Sequence, residues 1–98
     1  MYKLSNKAVE DFEQIYEYTY LNFGEDKADI YTDEMEKCLL LLSSAPQIGR
    51  SVDKIKKGVY RHDHEHHAIF YLIESNYIFI TRILHQQMNP MLHLYRVG

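Results

Sequence analysis

Cysteine occurs once in the 98 residues, proline twice and glycine four times. A single thiol, Cys38, closes no intramolecular disulfide and excludes a cysteine-based zinc site; it suits a reducing compartment, and its expected place is in the packing of a helix. So little glycine and proline leaves no disordered or low-complexity linker, and no internal repeat is present. No window reaches the ~20 apolar residues that a membrane-spanning helix needs, and the opening MYKLSNKAVEDF has no apolar run of signal-peptide length, so a soluble, cytoplasmic protein is expected. There is no G-x-S-x-G elbow, no G-x-G-x-x-G turn and no Walker A loop, which leaves nucleophilic hydrolysis and nucleotide binding without a signature. At 46% hydrophobic residues the chain supports one core, hence one domain over residues 1–98.

What is present is organised around GVYRHDHEHHAIFYLIESNYIFITRILH, residues 58–85, which reads as sheet throughout. Val59 to Asp63, His66 to Ile73 and Tyr77 to Leu84 form three expected antiparallel strands, the last two joined by Glu74-Ser75-Asn76. Strict alternation in the third strand puts Ile78, Ile80, Arg82 and Leu84 on one face and Tyr77, Phe79, Thr81 and Ile83 on the other. With both faces largely apolar, this strand should be central and covered on both sides.

Upstream, Tyr2 to Leu4 is a short extended lead-in and Ser5 an N-cap. Ala8, Phe12, Ile15, Tyr16, Thr19 and Phe23 recur at spacings of three and four, which predicts an amphipathic helix ending at Gly24. Glu10, Asp11 and Glu13 fall in its first turns, favourable to the helix dipole. A second helix from Glu25 or Asp26 carries Ala28, Tyr31, Met35, Cys38 or Leu39 and Leu42 on one stripe and stops at Ser43, Ser44 and Pro46. The short joint makes the pair an antiparallel hairpin. Ala45 to Gly58 reads as an ordered loop with Val52 and Ile55 as anchors, and His85 to Gly98 as a short helix or irregular segment over the open sheet face. The fold class is therefore α+β, with a short N-terminal strand and a helix hairpin packed on an antiparallel sheet.

The net charge of -3 conceals two halves: residues 1–42 hold ten acids against four bases, residues 43–98 four acids against seven bases. Lys54, Lys56, Lys57 and Arg61 cluster before and within the first hairpin strand, as a solvated loop or as a surface for an acidic partner or a phosphate backbone. His62, His64 and His66 alternate and would project from one side of a straight strand, a spacing able to hold zinc or copper. HDHEHH reads equally as a polar hairpin turn, with nothing placed to complete a site, so surface or partner-contacting histidines are favoured over a metal. Arg82 is the only charge in eight strand residues; burial without a partner would be costly, so it either pairs with a helix acid or faces a ligand.

These residues in this order resemble the ParE toxins of bacterial toxin-antitoxin modules, within the RelE/ParE superfamily. The resemblance rests on Leu4-Ser5, Ala8, Asp11-Phe12, Ile15, Tyr18-Thr19, Phe23-Gly24, residues 45–50 (APQIGR), Asp53-Lys54-Ile55, Gly58, Tyr60-Arg61 and residues 67–71 (HAIFY). Its most specific piece is Thr81-Arg82-Ile83-Leu84-His85 followed by Met88-Asn89, similar to an RILH-x-x-MD signature, with Asn89 in place of the usual acid. The resemblance implies a non-enzymatic toxin that traps DNA gyrase on cleaved DNA, with no cofactor. It would be held inactive in a hetero-oligomer by a ParD-like antitoxin whose flexible tail wraps it. The target surface is then expected at Arg61, Arg82, His85, Met88, Leu92 and Tyr95, and the antitoxin surface at Phe12, Tyr16, Tyr31, Met35, Phe79 and Ile83. The related RelE branch cleaves mRNA in the ribosome, which needs acid, base and cationic groups beyond the last strand. Gln86 and Gln87 stand there instead, which makes a ribosome-dependent endoribonuclease the alternative. A plain interaction module is a third reading.

Overall fold

In the computed structural model, which describes residues 1–94, the elements run β1 (Tyr2–Leu4), α1 (Asn6–Phe23), α2 (Glu25–Ser44), a 3-10 turn (Pro46–Ile48), β2 (Arg50–Ser51), β3 (Val59–His64), β4 (His67–Ile73), β5 (Ile78–His85) and α3 (Pro90–Leu94). Ser5 both starts α1 and ties it to the sheet: its Oγ accepts the Ala8 N–H at 3.0 Å and its hydroxyl donates to the Thr81 carbonyl at 2.7 Å. The first turn of α1 holds no acid, so the expected dipole benefit is weakened. Gly24, at φ 93, ends α1 and lets α2 turn back on it. Ala8 and Ile15 from α1 and Ala28, Met35, Cys38, Leu39 and Leu42 from α2 are buried, the periodic stripe that the spacing predicts. Phe23, counted in that stripe, is instead 63% exposed at the last residue of the helix.

The sheet has the order β1-β5-β4-β3-β2. Strands β3, β4 and β5 form the expected antiparallel meander, but the central strand is β4; β5, expected to be central, is flanked on its outer side only along Ile78 to Ile80, by the short β1. Two features correct the expectation of a wholly antiparallel sheet with a loop before it. β1 pairs with β5 in parallel, Tyr2 opposite Ile78 and Leu4 opposite Ile80; parallel neighbours need a long connection, and here it comprises both helices and strands β2 to β4. Within the loop, Arg50 and Ser51 add a two-residue strand to the β3 edge, too short to leave an alternation in the sequence.

The β3–β4 hairpin turns on Glu65 and His66, one residue later than expected, with Glu65 at φ 53. His66 thus lies in the turn, so the conditional row of His62, His64 and His66 does not form, and HDHEHH contains a hairpin turn as its favoured reading has it. A left-handed backbone is disfavoured for Glu and tolerated by Asn, so Glu65→Asn should raise stability by about 0.5 kcal/mol, read as a higher urea midpoint at unchanged slope.

A bulge decides how β5 presents its side chains. Phe70 pairs with Arg82 but the next residue, Tyr71, pairs with Ile80, leaving Thr81 as the extra residue. Its hydroxyl donates to the Phe70 carbonyl at 3.1 Å. Alternation therefore shifts midway. Ile78, Ile80 and Ile83 join Ile69 and Tyr71 in the core beneath the helices. Leu84 joins Val59, Ala68, Phe70 and Leu94 in a second cluster on the opposite face. The strict alternation that grouped Leu84 with Ile80, and Ile83 with Phe79, is corrected by that single residue. Both faces of β5 are covered as expected, the second by Val52 and Ile55 of the loop and by α3.

Candidate functional site

The site grows from the place where β1 stops. Beyond Leu4 and Ile80 the edge of β5 has no neighbouring strand among the described residues, and α1 drops a carboxylate onto it. Asp11, 8% exposed, accepts the Ile83 N–H at 3.0 Å and two bonds from Arg82, Nε at 2.8 Å and Nη2 at 2.9 Å. One side chain thus satisfies the open backbone and neutralises the strand cation in a bidentate geometry. The Asp11 carboxylate holds the Arg82 guanidinium above its usual range. Arg82 is therefore paired with a helix acid, one of the two alternatives its sequence position left open.

Next to this clamp, three histidines stand in register across three strands: His64 opposite His67, and His67 opposite His85. The His67 and His85 rings meet edge to face with centroids 5.5 Å apart. Tyr31 of α2 lies over the ladder, its hydroxyl hydrogen-bonded to His67 Nδ1 at 2.6 Å and its ring 6.1 Å from that of His64. His64 Nε2 is buried without a partner among the described residues. Burial, then the neighbouring His85, His66 and His64, push the His67 imidazole down to about 4. It is neutral at physiological pH. Burial also raises the Tyr31 phenol. Among the described residues no group of three or more His, Cys, Asp or Glu is arranged to hold a metal.

Clamp and ladder floor an open cleft of ≈ 670 Å³ between α1, the hairpin tip and the end of β5. Ile15, Ile83, Tyr18, Phe23 and Met88 supply its apolar wall, and Gln14, His66, His67 and His85 its polar one. Tyr18 is 64% exposed, and the neighbouring Leu21 is 72% exposed. Large apolar side chains standing in solvent beside a cleft mark a surface built to be covered.

The expected target residues do not gather on one patch. Arg61 bonds Asp63 at 2.8 Å and lies over the Phe70 ring on the face away from the helices. Arg82 is committed to Asp11. His85 and Met88 line the cleft, Leu92 is exposed on α3, and Tyr95 lies outside the described residues. Of the expected antitoxin residues, Met35 is fully enclosed and offers no surface, a correction that follows from its place between helix and sheet. Ile83, 2% exposed, shows only as cleft floor. Phe12 and Tyr31 pack against the core, Tyr16 bonds Asp29 at 3.0 Å, and Phe79 pairs with Leu72 on the other side of the sheet. Gln14 and Tyr18 of the cleft were missed, whereas His66 and His67 fall in the HDHEHH run already read as surface or partner-contacting. The available signal was Tyr18 and Leu21, large apolar residues off the buried stripe of α1.

The profile of the family described as "ParE toxin of type II toxin-antitoxin system, parDE" matches residues 2–90. Toxin ParE1 of Mycobacterium tuberculosis is 33% identical over 89 residues, covering 90% of this chain and 91% of the relative. Toxin ParE1 of Caulobacter vibrioides is 29% identical over 93 residues, covering 95% and 96%. A solved structure described as "Chromosomal ParDE TA system from P. aeruginosa" has the same fold, with a TM-score of 0.75 at 21% identity, covering 86% of this chain and 92% of that one.

Proposed function

This chain belongs to the ParE toxin family of type II toxin-antitoxin systems, and from that premise we propose that it poisons DNA gyrase and is silenced by an antitoxin seated in the α1 cleft. The observation that carries the antitoxin half is the exposed apolar wall of Tyr18, Phe23 and Met88 in a cleft large enough for the side chains of a docking helix. A disordered tail that folds on binding covers surface of this kind. The P. aeruginosa protein of the same fold comes from a ParDE system, which supports the same kind of partner here.

Gyrase poisoning is favoured over mRNA cleavage by the engagement of the cations. A nuclease needs a free positive charge at the scissile phosphate, and Arg82 is spent on Asp11. Gln86 and Gln87 follow β5, and Gln86 Nε2 donates to the Glu65 carbonyl, a structural task. With Arg61 and Arg82 engaged inside the fold, the surface offered to gyrase is the exposed apolar run of Met88, Met91 and Leu92 with His85 beside it. It meets the antitoxin cleft at His85 and Met88, so that occupancy by one partner obstructs the other.

The purified chain added to gyrase and supercoiled plasmid should yield linear DNA after protease treatment, and Leu92→Glu should abolish this while leaving the thermal unfolding midpoint unchanged. Codon-phased mRNA cuts in a ribosome assay, with supercoiling unaffected, would establish the nuclease instead.

A further inference from the structure

The histidine ladder lines the cleft of that reading, but nothing in the reading requires that this lining be titratable. It lies at the tip of the β3–β4 hairpin, where His66 and His67 form the sheet-side wall of the cleft, and the contact of that tip with α2 runs through the Tyr31 hydroxyl and His67 Nδ1. We propose that this wall is acid-opened: proton uptake by the ladder releases the hairpin tip from α2 and dismantles the surface on which a cleft partner sits. The proposal rests on the cleft being the antitoxin site, and concerns how that site is regulated.

Burial and the neighbouring strands and turn make the protonated form of His67 unwelcome. β3 contributes His64, whose Nε2 is already buried without a partner among the described residues, β5 contributes His85 in edge-to-face contact, and the turn contributes His66. From α2 comes the neutral Tyr31, hydrogen-bonded to His67 Nδ1 and bringing no negative charge to offset a proton on the ring. The carboxylate on the α1 side, Asp11, favours the charged form, but it is the weakest influence and is already neutralised by Arg82. Glu65 faces the ladder from the turn and acts on Tyr31 together with Glu34 of α2. Two neighbouring imidazoles in register, and a third in the turn, mean that one proton raises the cost of the next.

The sign follows from linkage. The His67 imidazole sits at about 4 in the folded arrangement against an ordinary 6.5, so any arrangement that exposes it binds more protons as pH falls between those values. The closed tip is fully favoured above about pH 6.5 and loses that advantage as pH drops toward 4. Because the ring is partly solvated, opening from pH 7 to pH 5 should be enhanced on the order of tenfold rather than by the full linkage value.

Amide hydrogen exchange on the isolated chain, corrected for the intrinsic pH dependence of exchange, reads this out. In the wild type, protection of His64 to His67 should fall about tenfold more than that of Ile69 to Tyr71 between pH 7 and pH 5. His67→Asn, which keeps a hydrogen-bonding group near Nδ1 but does not titrate, should abolish the difference. Tyr31→Phe serves as a second variant, with the tip already less protected at pH 7 and a smaller further loss on acidification. A His67 ring that titrates near 6.5 by NMR, or a loss of protection uniform across β3 to β5, overturns the proposal. Because these readouts use no partner, they separate it from the antitoxin reading, which is tested by complex formation at pH 7.5.

Discussion

Replacing Asp11 with alanine is expected to lower the unfolding free energy by about 3 kcal/mol or more, measured as a shift in urea midpoint at constant slope. The loss exceeds that of an ordinary ion pair because one carboxylate serves two clients. Without it the Arg82 guanidinium, whose side chain is only 13% exposed, is left as an unpaired charge, and the Ile83 N–H on the open edge of β5 loses its acceptor. Arg82→Met should cost less, about 2 kcal/mol, since Asp11 keeps the Ile83 bond and some solvent contact. The double variant Asp11→Ala with Arg82→Met should then be more stable than the sum of the two losses, because it removes the buried cation that makes the first change severe. Additive losses would mean that the two side chains act independently. The same experiment bears on any activity test of Arg82, for a loss of activity in a variant reveals nothing about contact unless its fold is intact.

An equally severe outcome is expected at Gly49, where no charge is involved. The Tyr71 hydroxyl donates to the Pro46 carbonyl at 2.6 Å, and the chain folds back over that hydroxyl at Gly49. A Cβ at residue 49 would overlap the hydroxyl, lie 2.8 Å from the Tyr71 Cζ and sit 3.1 Å from the Arg61 carbonyl oxygen. The ring cannot swing aside, because Tyr71 has no exposed surface and stacks on Tyr60 with centroids 5.9 Å apart. Gly49→Ala should therefore destabilise by about 2 to 4 kcal/mol through overpacking and loss of a buried hydrogen bond. Tyr71→Phe should cost about 1 kcal/mol alone and recover part of the loss when combined with Gly49→Ala. Circular dichroism melts of the four proteins decide it; a Gly49→Ala protein that melts with the wild type would show that residues 46 to 49 yield freely.

Residues 6–44 were legible because helix spacing, a serine cap and a glycine joint all state the same structure locally. So was the β3–β4–β5 meander, whose strands are long and connected by turns. The parallel β1 was visible only as a lead-in, since three residues carry no period and the partner lies more than seventy positions away. Strand β2 was lost for the same reason. The bulge at Thr81 escaped because nothing in ITRIL distinguishes a shifted alternation from a regular one, and it is what sends Ile83 to the core and Leu84 to the other face. At the candidate site, the need of Arg82 for a partner followed from the cost of a buried charge, yet which helix acid would serve required the three-dimensional edge. The ladder was hidden by the turn: HDHEHH reads as alternation along one strand, whereas the rings that meet are His64, His67 and His85 on three.

The pairing of β1 with β5 also orders events in time. The helix hairpin depends on neighbours close in sequence and can form early, but β1 has no partner until residues 78–80 exist, and Asp11 has no edge to clamp until residues 82 and 83 arrive. Contacts of such long sequence separation are entropically late in folding. During synthesis the first helix must therefore wait, its apolar stripe and the unpaired Asp11 exposed, while most of the chain is made. A nascent chain has no finished cleft until residues 78–85 have been delivered, because β5 supplies its Ile83 floor and its His85 wall.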